Sequence, residues 1–445
     1  MAISKPTLSF QNIINMNVGF FGIQYSFGLQ QSAVNPIYDF LGASADQLPI
    51  LNLAGPMTGL IIQPIIGALS DKTWHPRWGR RKPYFFIGAM LCSLTLFFFP
   101  FSSSLWMAAG LLWVLDVGNN TAMEPYRAFI ADKLPASQLS TGFMSQSFFT
   151  GLGITLANIS LFVFQKYLPE GNGAIPTWVY GSFFLGSFCS IASVLWSIKT
   201  TPEIPPTPEE LAVLLAGKKG FAEPFIEIAH AIKNMPKVMW QLALVYLFQW
   251  YAMFCYWQNV SKSVAQSVWH TSVTDNPALY KEAVGWTGLV NGWYNVVAFL
   301  SAFGLGWLAN KYSPKLVHFG SLMLAGISLL LFPHIGDKYL LLLSITGLGI
   351  AWASMMGIPF LMVVSSIPKE KYGVYMGIHN MMLVLPMLLQ TITFGYILKH
   401  VLNNDPANAM TFTGVFLIVA ALATTLIKHS KPTDGDIVLP IGGGH

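Results

Sequence analysis

The sequence predicts an all-α integral membrane protein, with twelve transmembrane helices in two pseudo-symmetric six-helix bundles and both termini in the cytoplasm. Three observations predict it. The chain is 53% apolar and 10% charged, where an ordinary soluble protein is about 25% charged. Reading from one Asp, Glu, Lys or Arg to the next isolates eleven uncharged runs of 21 residues or more, each longer than the roughly 20 residues a helix needs to cross a bilayer core. With the amino terminus placed inside, 19 of the 24 basic residues fall on the inner side, and such an asymmetry sets the orientation.

The runs are 6–38, 47–70, 83–115, 134–165, 171–198, 238–261, 283–310, 316–336, 339–368, 372–398 and 406–427. The run 83–115 is too long for one span, and Ser102, Ser103 and Ser104 break it. Its second part opens a fourth helix that continues through Asp116 to about Asp132, which brings the count to twelve. The first nine residues hold one lysine and no cleavage signature, so the first hydrophobic segment is expected to stay as a span. The stretch from Thr200 to about Lys237 contains TPEIPPTPEE and is too polar to cross. It is expected to be a cytoplasmic linker (200–237) between an N-terminal bundle (1–199) and a C-terminal bundle (238–428), followed by a tail (429–445). The inner basic set includes Lys218, Lys219 and Lys431; Lys166, Lys262, Lys281, Lys338 and Lys399 fall outside.

The two halves read as copies. GALSDK (67–72) returns as GWLANK (306–311) at an offset of 239. Pro125, Pro135 and Gly142 have counterparts in Pro359, Pro368 and Gly373, at offsets of 234, 233 and 231. Matches in order at a nearly constant offset predict a parallel repeat, as in many secondary transporters.

Composition also excludes functions. A net charge of +5, spread mainly over the inner loops, makes nucleic acid a poor partner. Cys92, Cys189 and Cys255 lie in apolar segments without pairing or metal spacing and read as packing residues. No nucleotide-binding glycine loop and no metal-spaced His or Cys set occurs, so neither an enzyme nor an ATP-driven pump is expected.

Chemistry concentrates in LDVGNNTAMEPYRAFIAD (115–132). At 100° per residue, Asp116, Asn119, Asn120, Met123 and Arg127 share one face. An ionisable group at membrane depth costs about 2.5–3.5 kcal/mol even on the mildest insertion scale, which marks it as functional. Glu124 and Arg127, three apart, are placed to pair; Asp132 is an alternative partner, and gating of the cytoplasmic exit another role for Arg127. After the second span, Gly67 and Asp71 are followed by RWGRRKPY (77–84). A carboxylate at a helix end beside Arg77, Arg80 and Arg81 can lock helix ends by charge-assisted hydrogen bonds, while topogenic charge is the plain alternative.

GxxxD followed by WGRRKP resembles the cytoplasmic loop signature of the major facilitator superfamily, in the longer form found in sucrose carriers. LDVGNNTAMEPYRAFIAD resembles the fourth span of plant sucrose–proton symporters, and the likeness is strongest over roughly residues 10 to 165. The chain thus resembles the glycoside–pentoside–hexuronide cation symporters, and the resemblance implies the major facilitator fold. It also implies that Asp116 is the proton-coupling, sugar-binding carboxylate and that Arg127 is the family's arginine. Glu124 departs from the family pattern, where a small residue is expected, and so leaves sodium or a second proton open as the coupling ion.

Other residues suit a sugar. Asn17, Gln24 and Gln31 recur every seven residues on span one, and amides both donate and accept. Asn291 and Asn295 on span eight, with Trp250, Trp257 and Trp352 nearby in the sequence plan, offer amides beside aromatic rings. His379 is a candidate relay and equally a packing histidine. The expected function is proton-coupled symport of a disaccharide or glucoside, sucrose or maltose, by alternating access. A sodium-coupled symporter and an exporter of amphipathic compounds are the alternatives. Expected besides are no cofactor beyond the coupling ion, a small sugar and the lipid bilayer as partners, a functional monomer, and a multi-pass location in the cell membrane, as in a bacterial inner membrane.

Overall fold

The computed structural model describes residues 5–42, 51, 53–168, 175–216, 223–272 and 274–428. Lys218, Lys219, Lys431 and the tail 429–445 lie outside the described residues. Among the described residues the fold is all-α. The first half contains α1 (Phe10–Phe40), α2 (Ala54–Asp71), α3 (Lys82–Phe98), α4 (Leu105–Lys133), α5 (Leu139–Tyr167) and α6 (Thr177–Thr200). Two short helices, α7 (Pro208–Ala216) and α8 (Glu223–Lys233), occupy the linker. The second half contains α9 (Lys237–Trp269), α10 (Pro277–Lys311), α11 (Pro314–Leu331), α12 (Lys338–Val364), α13 (Tyr372–His400) and α14 (Pro406–Thr424).

Helix starts follow local chemistry. Ser104, at the predicted break in the long third run, accepts from the Met107 amide at 3.3 Å and caps α4. Asn276, Ser313, Asp337 and Asp405 cap α10, α11, α12 and α14 in the same way. Nine of the described helices are long and apolar enough to cross a membrane by length and composition. The remaining long helices are α1, α2 and α4. They carry the amides and carboxylates of the candidate site, which lowers their hydropathy.

The packing repeats across the halves. In the first half α1 packs on α5 and α6, α3 on α4 and α6, and α2 on α4. In the second half α9 packs on α13 and α14, α11 on α12 and α14, and α10 on α12, the same pairings in the same order. Between halves α2 meets α13 and α5 meets α10, again as symmetric counterparts.

The α2–α13 crossing is close enough to exclude side chains. A Cβ on Gly67 would lie 2.2 Å from the Gly373 carbonyl oxygen, and one on Gly377 would lie 2.3 Å from Pro64 Cα. Backbone on both sides cannot yield without moving a helix. Gly377→Val is therefore expected to hold the halves apart and reduce transport at least 10-fold. Its detergent melting temperature should stay within a few degrees of wild type, because the helix pairings within each half are untouched; transport at wild-type rate would contradict the crossing.

Candidate functional site

Helix α4 is fixed from both flanks. Tyr126 donates to the Met16 carbonyl of α1 at 2.6 Å and stacks on Phe85 of α3 at 4.4 Å between ring centroids. Where α3 and α4 cross, a Cβ on Gly88 would lie 2.6 Å from the Gly118 carbonyl oxygen. This places Asp116 in the bundle interior, with no exposed surface. Its Oδ1 accepts from Gln30 Nε2 at 2.9 Å, and its Oδ2 has no hydrogen-bond partner among the described residues. No basic side chain lies within 4 Å of it among those residues.

The predicted polar stripe divides. At about 100° per residue, Asn119 lies about 60° to one side of Asp116 and Asn120 about 40° to the other. The two amides therefore meet different helices. Asn119 turns to α3, its Oδ1 accepting from Cys92 Sγ at 3.1 Å, and so meets that helix from one edge of the stripe. Asn120 turns to α2, donating to Thr58 Oγ1 at 3.0 Å and to the Asp116 carbonyl at 2.8 Å, and accepting from Gln63 Nε2. Gln63 was not singled out in the sequence, although an amide inside the apolar run LIIQPIIG is itself the signal of an interhelical contact.

The heptad of amides on α1 does not act as one face. Asn17 bonds back to Ile13 of its own helix at 2.8 Å, and Gln31 is exposed. Gln24 is buried, with its Cβ against the α5 backbone at Gly153. The amide that reaches Asp116 is Gln30, one residue off that spacing.

In the second half, aromatic rings from α9 and α10 surround Trp352 of α12. Trp250, Trp257 and Tyr294 have centroids 5.9, 5.8 and 6.2 Å from it, all edge-on. Asn291 accepts from Tyr256 at 2.8 Å, and Asn295 donates to the Asn291 carbonyl at 2.9 Å. The indole N–H groups of Trp250 and Trp352 and Asn295 Oδ1 are buried without partners among the described residues. A second polar knot joins α9, α11 and α12: His318 contacts Ser354 Oγ at 2.9 Å and Gln249 Oε1 at 3.2 Å. Sequence spacing gave no sign of it, since its members come from separate helices.

Glu124 and Arg127 do pair, at 2.6 Å, but not at a surface. Both are buried, and the guanidinium lies over the ring of Phe360 from the other half, 4.5 Å from its centroid. Phe360 also contacts the ring of His379 at 4.5 Å, and His379 Nε2 meets Tyr246 Oη at 2.8 Å. The pair is therefore part of the seam between halves.

At the basic end a lock forms around Arg81, which is fully buried. It donates to Asp71 Oδ1 at 2.6 Å, to Asp132 Oδ2 at 2.8 Å and to Ser70 Oγ. Burial alone would lower the guanidinium's pKa, but Asp132 and Asp71 outweigh it and hold it above its ordinary value. Asp71 also accepts from the Gly373 and Val374 amides of α13 at 2.9 Å each. The carboxylate thus sits at the start of a helix of the other half, where the dipole favours it. Arg77 and Arg80 make no ion pair within 4 Å among the described residues and stand outside this lock.

Glu203, in the PEI stretch read only as linker, holds the lock's loop. Its carboxylate accepts from the amides of Arg80, Arg81 and Lys82 at 2.8, 2.9 and 3.0 Å. Gly79 makes room, with φ +76° and a virtual Cβ 2.5 Å from Glu203 Cδ. Glu203→Ala is expected to destabilise by about 1–3 kcal/mol, seen as a lowered melting temperature in nanodiscs. No change would show that water serves those amides equally well.

Residues 16–391 match the profile of the Major Facilitator Superfamily. The rice sucrose transport protein SUT5 (Oryza sativa subsp. indica) is 23% identical over 495 residues, covering 95% of this chain and 88% of the relative. The Arabidopsis thaliana sucrose transport protein SUC3 is 30% identical over 142 residues, covering 27% of this chain and 24% of its own. Among solved structures, the proton:xylose symporter XylE superimposes with a TM-score of 0.68 at 14% identity, covering 95% of this chain and 97% of that one. The E. coli fucose:proton symporter FucP superimposes with a TM-score of 0.65 at 13% identity, covering 95% and 98%. At these identities the structural likeness bears on the fold. The profile match over most of the sequence, the apolar spans and the repeated packing agree: the chain is a multi-pass membrane transporter, not an enzyme, and belongs to the Major Facilitator Superfamily.

Proposed function

We propose that the protein takes up a disaccharide or related glucoside of the sucrose type together with a proton, by alternating access. One observation carries the reading. Asp116 is a fully buried carboxylate whose single protein partner among the described residues is the Gln30 amide, with its second oxygen unpartnered. A lone carboxylate at that depth is penalised for its charge, and a proton removes the penalty. A hydroxyl-rich ligand donating to the free oxygen would place sugar and proton on one group. The sucrose transport proteins among the relatives and the proton symporters among the fold neighbours support the same reading. The pairing of Glu124 with Arg127 leaves Asp116 as the carboxylate without a cation in this region, which favours a proton over sodium.

The accompanying topology is twelve spans with both termini cytoplasmic, two bundles at 1–199 and 238–428 joined by the 200–237 linker, working as a monomer in the cell membrane. Gln24, Asn119, Asn120, Asn291, Asn295 and Trp352 complete the sugar surface. The test is accumulation of labelled sucrose in proteoliposomes under an imposed pH gradient. Accumulation driven by the proton gradient and indifferent to sodium is expected. Drive by sodium alone, or failure to move sucrose together with extrusion of amphipathic dyes, would overturn the reading in favour of the other coupling ion or an exporter.

A further inference from the structure

We propose that the aromatic cluster around Trp352 is a subsite for the second ring of a glycoside, and that Trp250 and Trp352 determine the preference for two-ring over one-ring sugars. The inference rests on the sugar reading above and adds a division of labour between the halves.

Unpartnered buried polar atoms of both kinds, donors and acceptors, occur in each half, among them the donor Asn119 Nδ2 in the first and the acceptor Asn295 Oδ1 in the second. In the first half they include oxygen acceptors: Asp116 Oδ2, Gln30 Oε1 and Gln63 Oε1. In the second half, on the rings that surround Trp352, they are indole donors: Nε1 of Trp250 and of Trp352. Trp250 is 3% exposed and Trp352 7%. An indole N–H is donor only, and a buried one without a partner costs about 1–3 kcal/mol, so buried indoles are normally paired. Two orphaned donors on rings 5.9 Å apart are out of place in a simple packing cluster. By contrast Trp257, in the same cluster, finds Tyr294 Oη at 3.4 Å.

The carboxylate and amide oxygens near Asp116 and the indole-bearing rings around Trp352 offer different chemistry. Acceptor oxygens read sugar hydroxyls as donors, which suits a ring presenting its full set of hydroxyls to Asp116, Gln30 and Gln63. Aromatic faces with indole donors suit a ring whose apolar C–H face stacks while its ring, glycosidic or hydroxyl oxygens accept. A disaccharide has one ring for each face. A monosaccharide engages the first and leaves the indoles unsatisfied.

The experiment measures binding to the full chain in nanodiscs by isothermal titration, with sucrose and with methyl α-D-glucopyranoside, which keeps the hexose and lacks the second ring. Wild type is expected to prefer sucrose at least 10-fold. Trp250→Phe and Trp352→Phe keep a ring and remove the donor, and each is expected to cut that preference about 10-fold. Melting temperatures identify a variant that fails to fold, and the other variant then carries the test. A preference unchanged in both folded variants, or a wild type that binds both sugars equally, overturns the subsite while leaving the sugar reading intact. A wild type that binds neither sugar overturns the sugar reading and the subsite with it.

Discussion

Asparagine at position 116 is expected to bring gradient-driven sugar accumulation from about 50-fold down to unity. One charge moving through 100 mV is worth about 2.3 kcal/mol, and 1.36 kcal/mol is tenfold, so one coupled proton supports accumulation of about 50-fold. The amide of Asp116→Asn keeps an acceptor near Gln30 and the neighbouring groups but cannot change charge. Exchange of labelled for unlabelled sucrose across the membrane should therefore persist while net uphill transport stops. Steady-state uptake and counterflow in the same proteoliposomes separate the two. Loss of exchange together with accumulation would assign Asp116 to sugar binding or folding alone.

The second large effect belongs to Asp71. This carboxylate is shared between Arg81 of its own half and two amides at the start of α13 in the other. Asp71→Ala removes both charge-assisted hydrogen bonds that cross the seam, each worth about 1.5–3 kcal/mol. It also strips Arg81 of one of its two carboxylates, and breaking a buried pair by deleting one partner costs about 3–5 kcal/mol. Arg81 keeps Asp132 at 2.8 Å, so its own half stays assembled and the loss falls mainly on the contact between halves. The closed arrangement at the basic end should become at least 10-fold less favoured. A cysteine at Val374, which is buried in this arrangement, reports it in a cysteine-free background. Alkylation from the basic side should quicken at least 10-fold in Asp71→Ala, and an unchanged rate would show that the α2–α13 crossing holds without the lock.

Hydropathy and charge made the frame legible in the sequence. The serines at 102–104 marked the break in the long third run, and the helix after it starts there, capped by Ser104. The offset matches between halves anticipated packing that recurs helix for helix. Periodicity failed where a side chain's partner sits on a helix distant in sequence. The seven-residue spacing picked Gln31, whereas the partner of Asp116 is Gln30, because spacing on α1 says nothing about where α4 lies. Asn119 and Asn120 read as one stripe and serve two neighbours, since a face about 100° wide is broad enough to touch both α3 and α2. Glu203 was hidden in a proline-rich linker, where nothing local shows that three amides of another loop converge on it. The Glu124–Arg127 pair was readable as a pair, but its burial under Phe360 depends on the meeting of the halves.

Proton movement reports the coupling at Asp116 most directly. Sucrose added to lightly buffered proteoliposomes without any imposed gradient should raise the external pH as the protons enter with the sugar. Alkalinisation by the wild type and none by Asp116→Asn is expected at equal protein content. Sugar entry without a pH change in the wild type, or alkalinisation that survives in Asp116→Asn, would contradict that coupling.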